Sequence, residues 1–400
     1  MLTARGRLLL LLGGALYVAA WAFGSNALYP VAVGFLLVVL LASLSVHAAA
    51  RPMGYKRRAG STEQVEGDDV VVDVELVPSG FLGLTTATVV ERIARLGERT
   101  VELEDVGGRL RGRYVLESVR RGRYGVDEAT AVLQDPFGLE VARVALVPQG
   151  ALLVLPRLVD LDILFSESGS HAHDGRRLLL RRPSGFDVHS VREYEEGESL
   201  RKVHWKTTAR RGRLMVKELQ DEPRDEVAIL LDADASAVAG GSFDAQVRAA
   251  GSLLRAQAKR DRRAVLVVNS IRQELVRVQT FSGDWRQALE TLAAVEPTGR
   301  VPLAALLADE GSPAGRAHEL TVVTSRLTST LVDRIVHRAL AQRSISVVFV
   351  DAPTFTGRRP SLEPALLRLQ GAGVPVALVR EGEDLAAALS AAPAAEAVHA

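Results

Sequence analysis

The first fifty residues restrict the fold more than any other part of the chain. Leu8 to Phe23 carries no charged side chain, and Ala27 to Ala50 carries none either. The second stretch is long enough for the roughly 20 apolar residues that cross a bilayer core. The first is shorter and contains Gly13-Gly14; alone it reads equally as a thin span or as a signal-peptide core with a small-residue exit near Ala20-Trp21-Ala22. Both stretches are apolar on every face, unlike the one-sided helices that cover a soluble core. Arg5 and Arg7 precede the first, Arg51, Lys56, Arg57 and Arg58 follow the second, and the break Gly24-Ser25-Asn26 between them is uncharged. The positive-inside rule therefore predicts a multi-pass hairpin in the inner (plasma) membrane, with spans at about residues 8–23 and 28–48 and the large C-terminal body in the cytoplasm. A cleaved first stretch followed by a stop-transfer second one would leave the body on the same side.

Composition narrows what that body does. Its apolar share of 48% and charged share of 24% are those of a globular chain, and 400 residues exceed one ordinary domain. Lys plus Arg is 49 against 48 for Asp plus Glu, a net charge of +1, which argues against a polycation built to coat nucleic acid. Cysteine is absent, which excludes disulfides, thiolate metal sites, redox pairs and cysteine nucleophiles together.

Residues 51–64 read as a basic juxtamembrane linker. From 65 to 160 the period shortens to that of strands: Val70 to Leu76, Thr86 to Ile93, Arg99 to Leu103, Gly112 to Ser118, Gly125 to Leu133 and Val141 to Val147 are rich in β-branched residues. Turn signals at Pro78-Ser79-Gly80, Gly107-Gly108, Arg121-Gly122-Arg123 and Asp135-Pro136-Phe137-Gly138 separate them. Short strands with no convincing helix predict a small antiparallel β-sandwich. Residues 161–184 read as a polar loop; within it His171-Ala172-His173-Asp174 has weak spacing for a metal, because alternate histidines converge only on a strand.

Residues 185–223 differ from both neighbours. Arg192, Glu193, Tyr194, Gly197, Glu198, Arg201, His204, Trp205, Lys206 and Arg210 fall close together. Arginines alternating with carboxylates allow paired guanidinium–carboxylate bonds, and Trp205 offers a face on which an arginine stacks. This run resembles the signature of the MoxR-associated membrane protein family known as domain of unknown function 58. The resemblance extends to Arg121-Gly122-Arg123-Tyr124, Asp135-Pro136-Phe137-Gly138-Leu139, Leu155-Pro156, the paired N-terminal spans and a von Willebrand factor A-like C-terminal half. Glu198 departs from it, since members often carry Asp after the glycine. The resemblance implies a bacterial adaptor or assembly factor that works with a MoxR-type AAA+ ATPase. The segment itself is either a salt-bridge network bracing two modules or a partner-docking surface.

From 224 to 400 strands and helices alternate: strands at 227–231, 264–269, 276–280, 320–324, 345–351 and 374–379, with helical patterns at 243–260, 285–294, 301–309, 328–342, 362–370 and 383–391. This predicts a mainly parallel, Rossmann-like sheet with helices on both faces. Neither Gly-x-Gly-x-x-Gly after the first strand nor a Walker A loop is present, so nucleotide binding by those routes is excluded. At the carboxyl end of the first strand, Asp232, Asp234 and Ser236 alternate on a short loop, and such oxygens suit a hard cation such as Mg²⁺. The loop resembles the Asp-x-Ser-x-Ser of von Willebrand A domains, with Asp234 in place of the first serine. That resemblance implies Thr298 as a further ligand and an aspartate where this chain has Ser325. Either a divalent ion binds and a partner's carboxylate completes it, or the loop is a remnant, Asp232 capping the sheet and Ser236 a helix.

The sequence thus predicts a membrane-tethered, non-enzymatic interaction or assembly protein, an adaptor for a MoxR-type AAA+ ATPase. The alternative is a metal-dependent hydrolase using Asp232, Asp234 and a histidine from residues 171–204. A nucleic-acid patch at Arg210-Arg211-Gly212-Arg213 is disfavoured by the balanced charge, and no small-molecule substrate is expected.

Overall fold

The computed structural model describes residues 1–59, 63–79, 85–148, 150–168, 188–193, 205–219, 226–341, 343–361 and 363–390, with backbone alone at 168, 188–193 and 216–219. The chain divides into two units, Met1–Arg157 and Leu158–Ala400.

The first unit begins with two helices, α1 (Ala4–Phe23) and α2 (Leu28–Ala49), both long and apolar enough to cross a membrane. Only 17% and 22% of their apolar stretches are buried, and Leu8, Leu11, Val18, Trp21, Leu37, Leu41 and Leu44 are exposed. Among the described residues no partner covers that surface, and its length and apolar character fit hydrocarbon. Thr3 caps α1 by accepting the Gly6 amide, and Gly24 ends it in the left-handed conformation that lets the chain reverse. Tyr17 and Tyr29 meet edge to face across the hairpin.

Nine strands follow: β1 (Gly54–Ala59), β2 (Gln64–Val65), β3 (Val70–Val77), β4 (Thr86–Ile93), β5 (Gly97–Asp105), β6 (Leu110–Leu116), β7 (Gly122–Gln134), β8 (Val141–Leu146) and β9 (Ala151–Leu155). They form one hydrogen-bonded path, β1-β3-β6-β5-β4-β7-β9-β2, with β8 beside β7. All pairings are antiparallel except the short β2–β9 contact. Alternation explains the burial: Val70, Val72, Val74 and Leu76 of β3 point inward, and Val71, Asp73 and Glu75 do not. β5 meets β6 only at Glu104↔Arg111 and Asp105↔Leu110. Val72 and Val74 from one half nevertheless share a core with Val89, Val101, Ala131 and Leu133 from the other, so the ladder folds over a common apolar layer.

The stretch expected to be a juxtamembrane linker is in part the edge strand β1, paired with β3 from Gly54↔Val77 to Ala59↔Val72. The reason is a buried polar cluster invisible to hydropathy. Glu91 is fully buried and accepts the hydroxyls of Tyr55 at 2.5 Å and Tyr114 at 2.6 Å. Arg57 lies 3.3 Å from the same carboxylate and donates to Tyr114 Oη. A buried carboxylate is tolerated only with such a set of donors, and two of the four groups come from β1. Burial foremost, and then the bonds to Glu91, push both phenols above their ordinary range.

The second unit is a six-stranded sheet. Its strands are β12 (Val227–Leu231), β13 (Ala264–Val268), β14 (Leu275–Val278), β15 (Glu319–Thr324), β16 (Ser344–Val350) and β17 (Val376–Val379), in the order β14-β13-β12-β15-β16-β17. Every pair is parallel except β13–β14. β12 and β13 are buried along their whole length, as expected of strands covered on both faces. One face packs against the helices Ser242–Lys259 and Phe281–Ala294, the other against Leu303–Ala308, Pro313–Arg316, Ser329–Leu340 and Pro364–Gly371.

Residues 158–168, expected to lie outside this unit at the end of the β domain and in a polar loop, belong to its core. Leu161, Leu164 and Phe165 are buried beneath it. Val159 donates its amide to Ser252 Oγ at 3.0 Å, and Asp160 pairs with Lys259 at 2.5 Å and Arg255 at 3.1 Å. Arg260 holds Asp162 O and Glu167. Apolar residues spaced too sparsely to look like an element here dock on the helix Ser242–Lys259.

Replacing Glu91 by Ala leaves Arg57 buried without its carboxylate, a loss of about 3–5 kcal/mol by the usual cost of breaking a buried pair. Hydrogen exchange of the β3 and β4 amides should report it. The raised phenols add a pH dependence. Their folded pKa lies above the unfolded value near 10, so their contribution is complete below pH 10 and declines above it. The decline is at most about 1.4 kcal/mol per pH unit for each tyrosine. Tyr114→Phe should flatten that alkaline decline.

Candidate functional site

Strand order places the reversal of winding between β12 and β15, where a doubly wound sheet opens a crevice at its carboxyl ends. Asp232 stands there with 5% exposure. Its Oδ1 accepts Asn269 Nδ2 at 3.0 Å and the Asp234 amide at 3.1 Å, and its Oδ2 accepts the Thr324 hydroxyl at 2.6 Å. Asn269, at the end of β13, also binds the Ala233 amide through Oδ1 and Val301 O through Nδ2 at 3.1 Å. One carboxylate therefore holds together the ends of β12, β13 and β15. Burial is the largest influence on it and pushes its pKa up against the opposing pull of Thr324, Asp234 and Asn269.

Asp234 caps the short turn Ala235–Ala237, accepting the Ser236 amide at 2.8 Å and its hydroxyl at 2.7 Å. The cap is Asp234, where the sequence suggested Ser236. The other Asp234 oxygen faces Arg326 Nη1 at 3.2 Å. Arg326 also donates to Ser236 Oγ at 3.0 Å and Ser236 O at 2.5 Å. Its neighbour Ser325, at the position where the A-domain pattern has an aspartate, accepts from Gln246 Nε2 at 2.8 Å. The Thr298 hydroxyl takes the Ile271 amide at 3.4 Å. Gly299 crosses Ala233 so closely that a Cβ there would lie 2.6 Å from Asn269 O, which leaves no room for a side chain.

The loop thus brings Asp232, Asp234 and Ser236 together and leaves Thr298 turned to another backbone. Its donor set does not fit Mg²⁺, which requires several free oxygens around one point. The Asp232 oxygens are committed to three neutral donors, and a guanidinium lies across Asp234 and Ser236. Among the described residues, no group of three His, Cys, Asp or Glu is placed to hold a metal. Asn269, Thr324 and Arg326 were missed by the sequence reading. The only sequence signal for them is that each ends or directly follows a strand whose neighbour carries Asp232.

A cleft of about 430 Å³ opens over this network, its lining including the polar Asp232, Asp234, Arg326 and Arg300 and the apolar Val301, Leu303 and Leu331. Arg300 is exposed.

The signature segment is described in part. Val188–Glu193 (β10) and Met215–Leu219 (β11) form a two-stranded antiparallel ribbon, with Arg192 opposite Val216 and Glu193 opposite Met215. Trp205–Arg211 is a helix; Trp205 is 65% exposed, and Lys206 and Arg210 are exposed with it. Thr208 accepts the Met215 amide and so ties the helix to the ribbon. Tyr194, Gly197, Glu198, Arg201 and His204 lie outside the described residues, as do His171, His173 and Asp174.

Asp232→Asn should keep the opening free energy of the β12 amides within about 1 kcal/mol of wild type, since a neutral amide of equal shape still accepts from Asp234 and Asn269. Asp232→Ala should lower it by about 2–3 kcal/mol by removing the acceptor that Asn269, Thr324 and the Asp234 amide share. The raised carboxyl pKa makes ionisation a cost to folding above the ordinary carboxylate range, and the Asn variant removes that cost.

Comparison with known proteins gives a partial match to a family of unknown function. Residues 190–353 match the family described as protein of unknown function DUF58. The uncharacterized protein YeaD of Bacillus subtilis (strain 168) is 27% identical over 144 residues, covering 36% of this chain and 35% of that one. The match thus spans about a third of the relative's length. Solved structures give only slight likeness. The uncharacterized protein lmo2446 of Listeria monocytogenes EGD-e aligns at 12% identity over 27% of this chain and 10% of that one, with a TM-score of 0.19. Cwp6 from Clostridium difficile aligns at 8% identity over 82% and 46%, with a TM-score of 0.16. Neither bears on fold or function. The chain therefore carries a DUF58 match through β10, the Asp232 cleft and the strands to β16, and a distant likeness to YeaD.

Proposed function

We propose that this is a membrane-tethered interaction protein whose α/β unit is a von Willebrand A-like module that receives a protein partner without a metal. The sheet order, with its third strand in sequence antiparallel and a ligand-accessible crevice between the first and fourth, supports the A-like reading. The observation that carries the proposal is Arg326. In an adhesion-type site a divalent cation on the Asp-x-Ser-x-Ser loop takes a partner's carboxylate. Here the chain's own guanidinium lies on that loop, its charge balancing Asp234 and its planar fork shaped for a carboxylate. Exposed Arg300 adds a second cation beside the cleft, and half-buried Val301 adds an apolar contact that a docked segment would cover.

The signature segment supplies a second surface. An exposed tryptophan beside Lys206 and Arg210 has the composition of an interface hot spot. The MoxR-type AAA+ ATPase implied by the sequence resemblance is the proposed partner, and the apolar hairpin holds the body at the inner membrane with its C-terminal mass in the cytoplasm. Loop and segment would work as docking faces, and neither is assigned a chemical step.

A mild-detergent pull-down of the tagged full-length protein from its native membranes tests this, with Arg300→Glu and Trp205→Ala alongside. Both residues are exposed and lie outside the Asp232 network, so the variants should fold. Capture of an AAA+ ATPase that falls about tenfold or more, roughly 1.4 kcal/mol, in either variant supports the reading. Undiminished capture in both would reject these docking faces, and crosslinking that yields no ATPase with or without nucleotide would reject the partner.

A further inference from the structure

The turn between β7 and β8 is built onto the membrane hairpin, and nothing in the reading of the cytoplasmic body accounts for it. Its acid, Asp135, is 2% exposed and accepts three backbone amides: Phe137 at 2.9 Å, Leu139 at 2.7 Å and Glu140 at 2.6 Å. Gly138 sits at φ +67°, the left-handed conformation that closes so tight a turn. The chain's first residues lie along it through one isolated antiparallel bridge, Leu2↔Glu140. Met1 exchanges hydrogen bonds with Val141, Thr3 donates its amide to Leu139 O and its hydroxyl to Gly138 O, and the Met1 ammonium pairs with Glu140 at 2.5 Å. Gly6 faces Leu139 so closely that a side chain there would overlap the Leu139 carbonyl.

Leu139 then packs in a cluster with Leu2, with Leu9 of α1, and with Val39 and Ala42 of α2. Leu9 is five residues into α1, about 7.5 Å from its start at 1.5 Å per residue, and Val39 is about 15 Å from the end of α2. The uncharged part of α1 begins at Leu8. On α1 the turn is thus level with the start of the uncharged stretch, beside exposed Arg5 and Arg7, while the last part of α2, about 15 Å long, runs on past it toward the β unit. Its tip is Phe137, an aromatic ring 67% exposed in a turn whose backbone is otherwise fixed.

We infer that the Asp135–Leu139 turn is a bilayer-interface element, with Phe137 inserted at the headgroup–hydrocarbon boundary and Arg5 and Arg7 set against anionic lipid headgroups. Aromatic rings favour that boundary, where an apolar body meets a wet edge. The turn is packed through Leu139 on α1 and α2, whose exposed side chains are apolar, and that neighbourhood fits lipid as its occupant. The consequence is that the β unit is fixed on the membrane and does not swing from a free tether. The inference rests on the hairpin crossing the bilayer, and the experiment separates the two claims.

The absence of cysteine makes single-site labelling direct. Full-length Phe137→Cys, Leu11→Cys and Glu117→Cys would each carry a nitroxide in phosphatidylcholine–phosphatidylglycerol vesicles. All three positions are exposed, and Glu117 follows β6 at the end of the sheet away from the Asp135 turn. Oxygen and an aqueous nickel chelate then report immersion by power saturation. The expected result is an oxygen-to-nickel accessibility ratio at Phe137 several-fold above that at Glu117 and approaching that at Leu11. A ratio at Phe137 equal to that at Glu117, with Leu11 immersed, overturns the interface element and leaves the hairpin standing. Water-like ratios at both Leu11 and Phe137 overturn both.

Discussion

Asp232 must find three donors, because a carboxylate with 5% exposure and no partners would cost more than the unit could bear. Those donors come from three places: Asn269 at the end of β13, Thr324 at the end of β15 and the Asp234 amide in its own loop. The register of a parallel sheet sets which residues reach the carboxyl edge together. The Asp232 network in turn fixes how the three loops leave that edge. Arg326 follows Thr324 by two residues, so once Thr324 is bound the guanidinium is delivered over Asp234 and Ser236. The cleft above inherits its charge from that order of events in space.

A second buried carboxylate does the same for the other unit. Glu91 draws Tyr55, Arg57 and Tyr114 to one point. Because Tyr55 and Arg57 lie just past α2, the strand that leaves the hairpin is captured at once by the sheet. The residues just before α1 are held by the Asp135 turn. Both ends of the hairpin are therefore anchored to one β unit by hydrogen bonds that hydropathy does not register.

The elements that were legible in the sequence share one property, a local signal. The strands β3, β4 and β8 and the alternation from Val227 to Val379 show themselves through period and β-branching, and the observed bounds differ by a residue or two at most ends. The apolar hairpin is equally local. Residues 54–59 and 158–168 failed that test. Gly54–Ala59 has three consecutive cations and looks like solvent-exposed chain until Glu91 is placed beneath it. Leu161, Leu164 and Phe165 become core only against the helix Ser242–Lys259.

The candidate site divides in the same way. The sequence by itself determined that Asp232, Asp234 and Ser236 would share a loop at the carboxyl end of the first strand of an α/β sheet, since alternation and the order of elements dictate it. It also determined that the chain opens with an apolar hairpin. Only the tertiary structure decided what that loop does with its charge. Arg326 and Asn269 are 92 and 35 residues from Asp234 along the chain, and nothing local marks them as partners of the carboxylates. Thr298 and Ser325 were placed by pattern and are held by Ile271 and Gln246 instead. A hydrogen bond depends on distance in space, and for a parallel sheet that distance is set by crossovers the sequence does not measure.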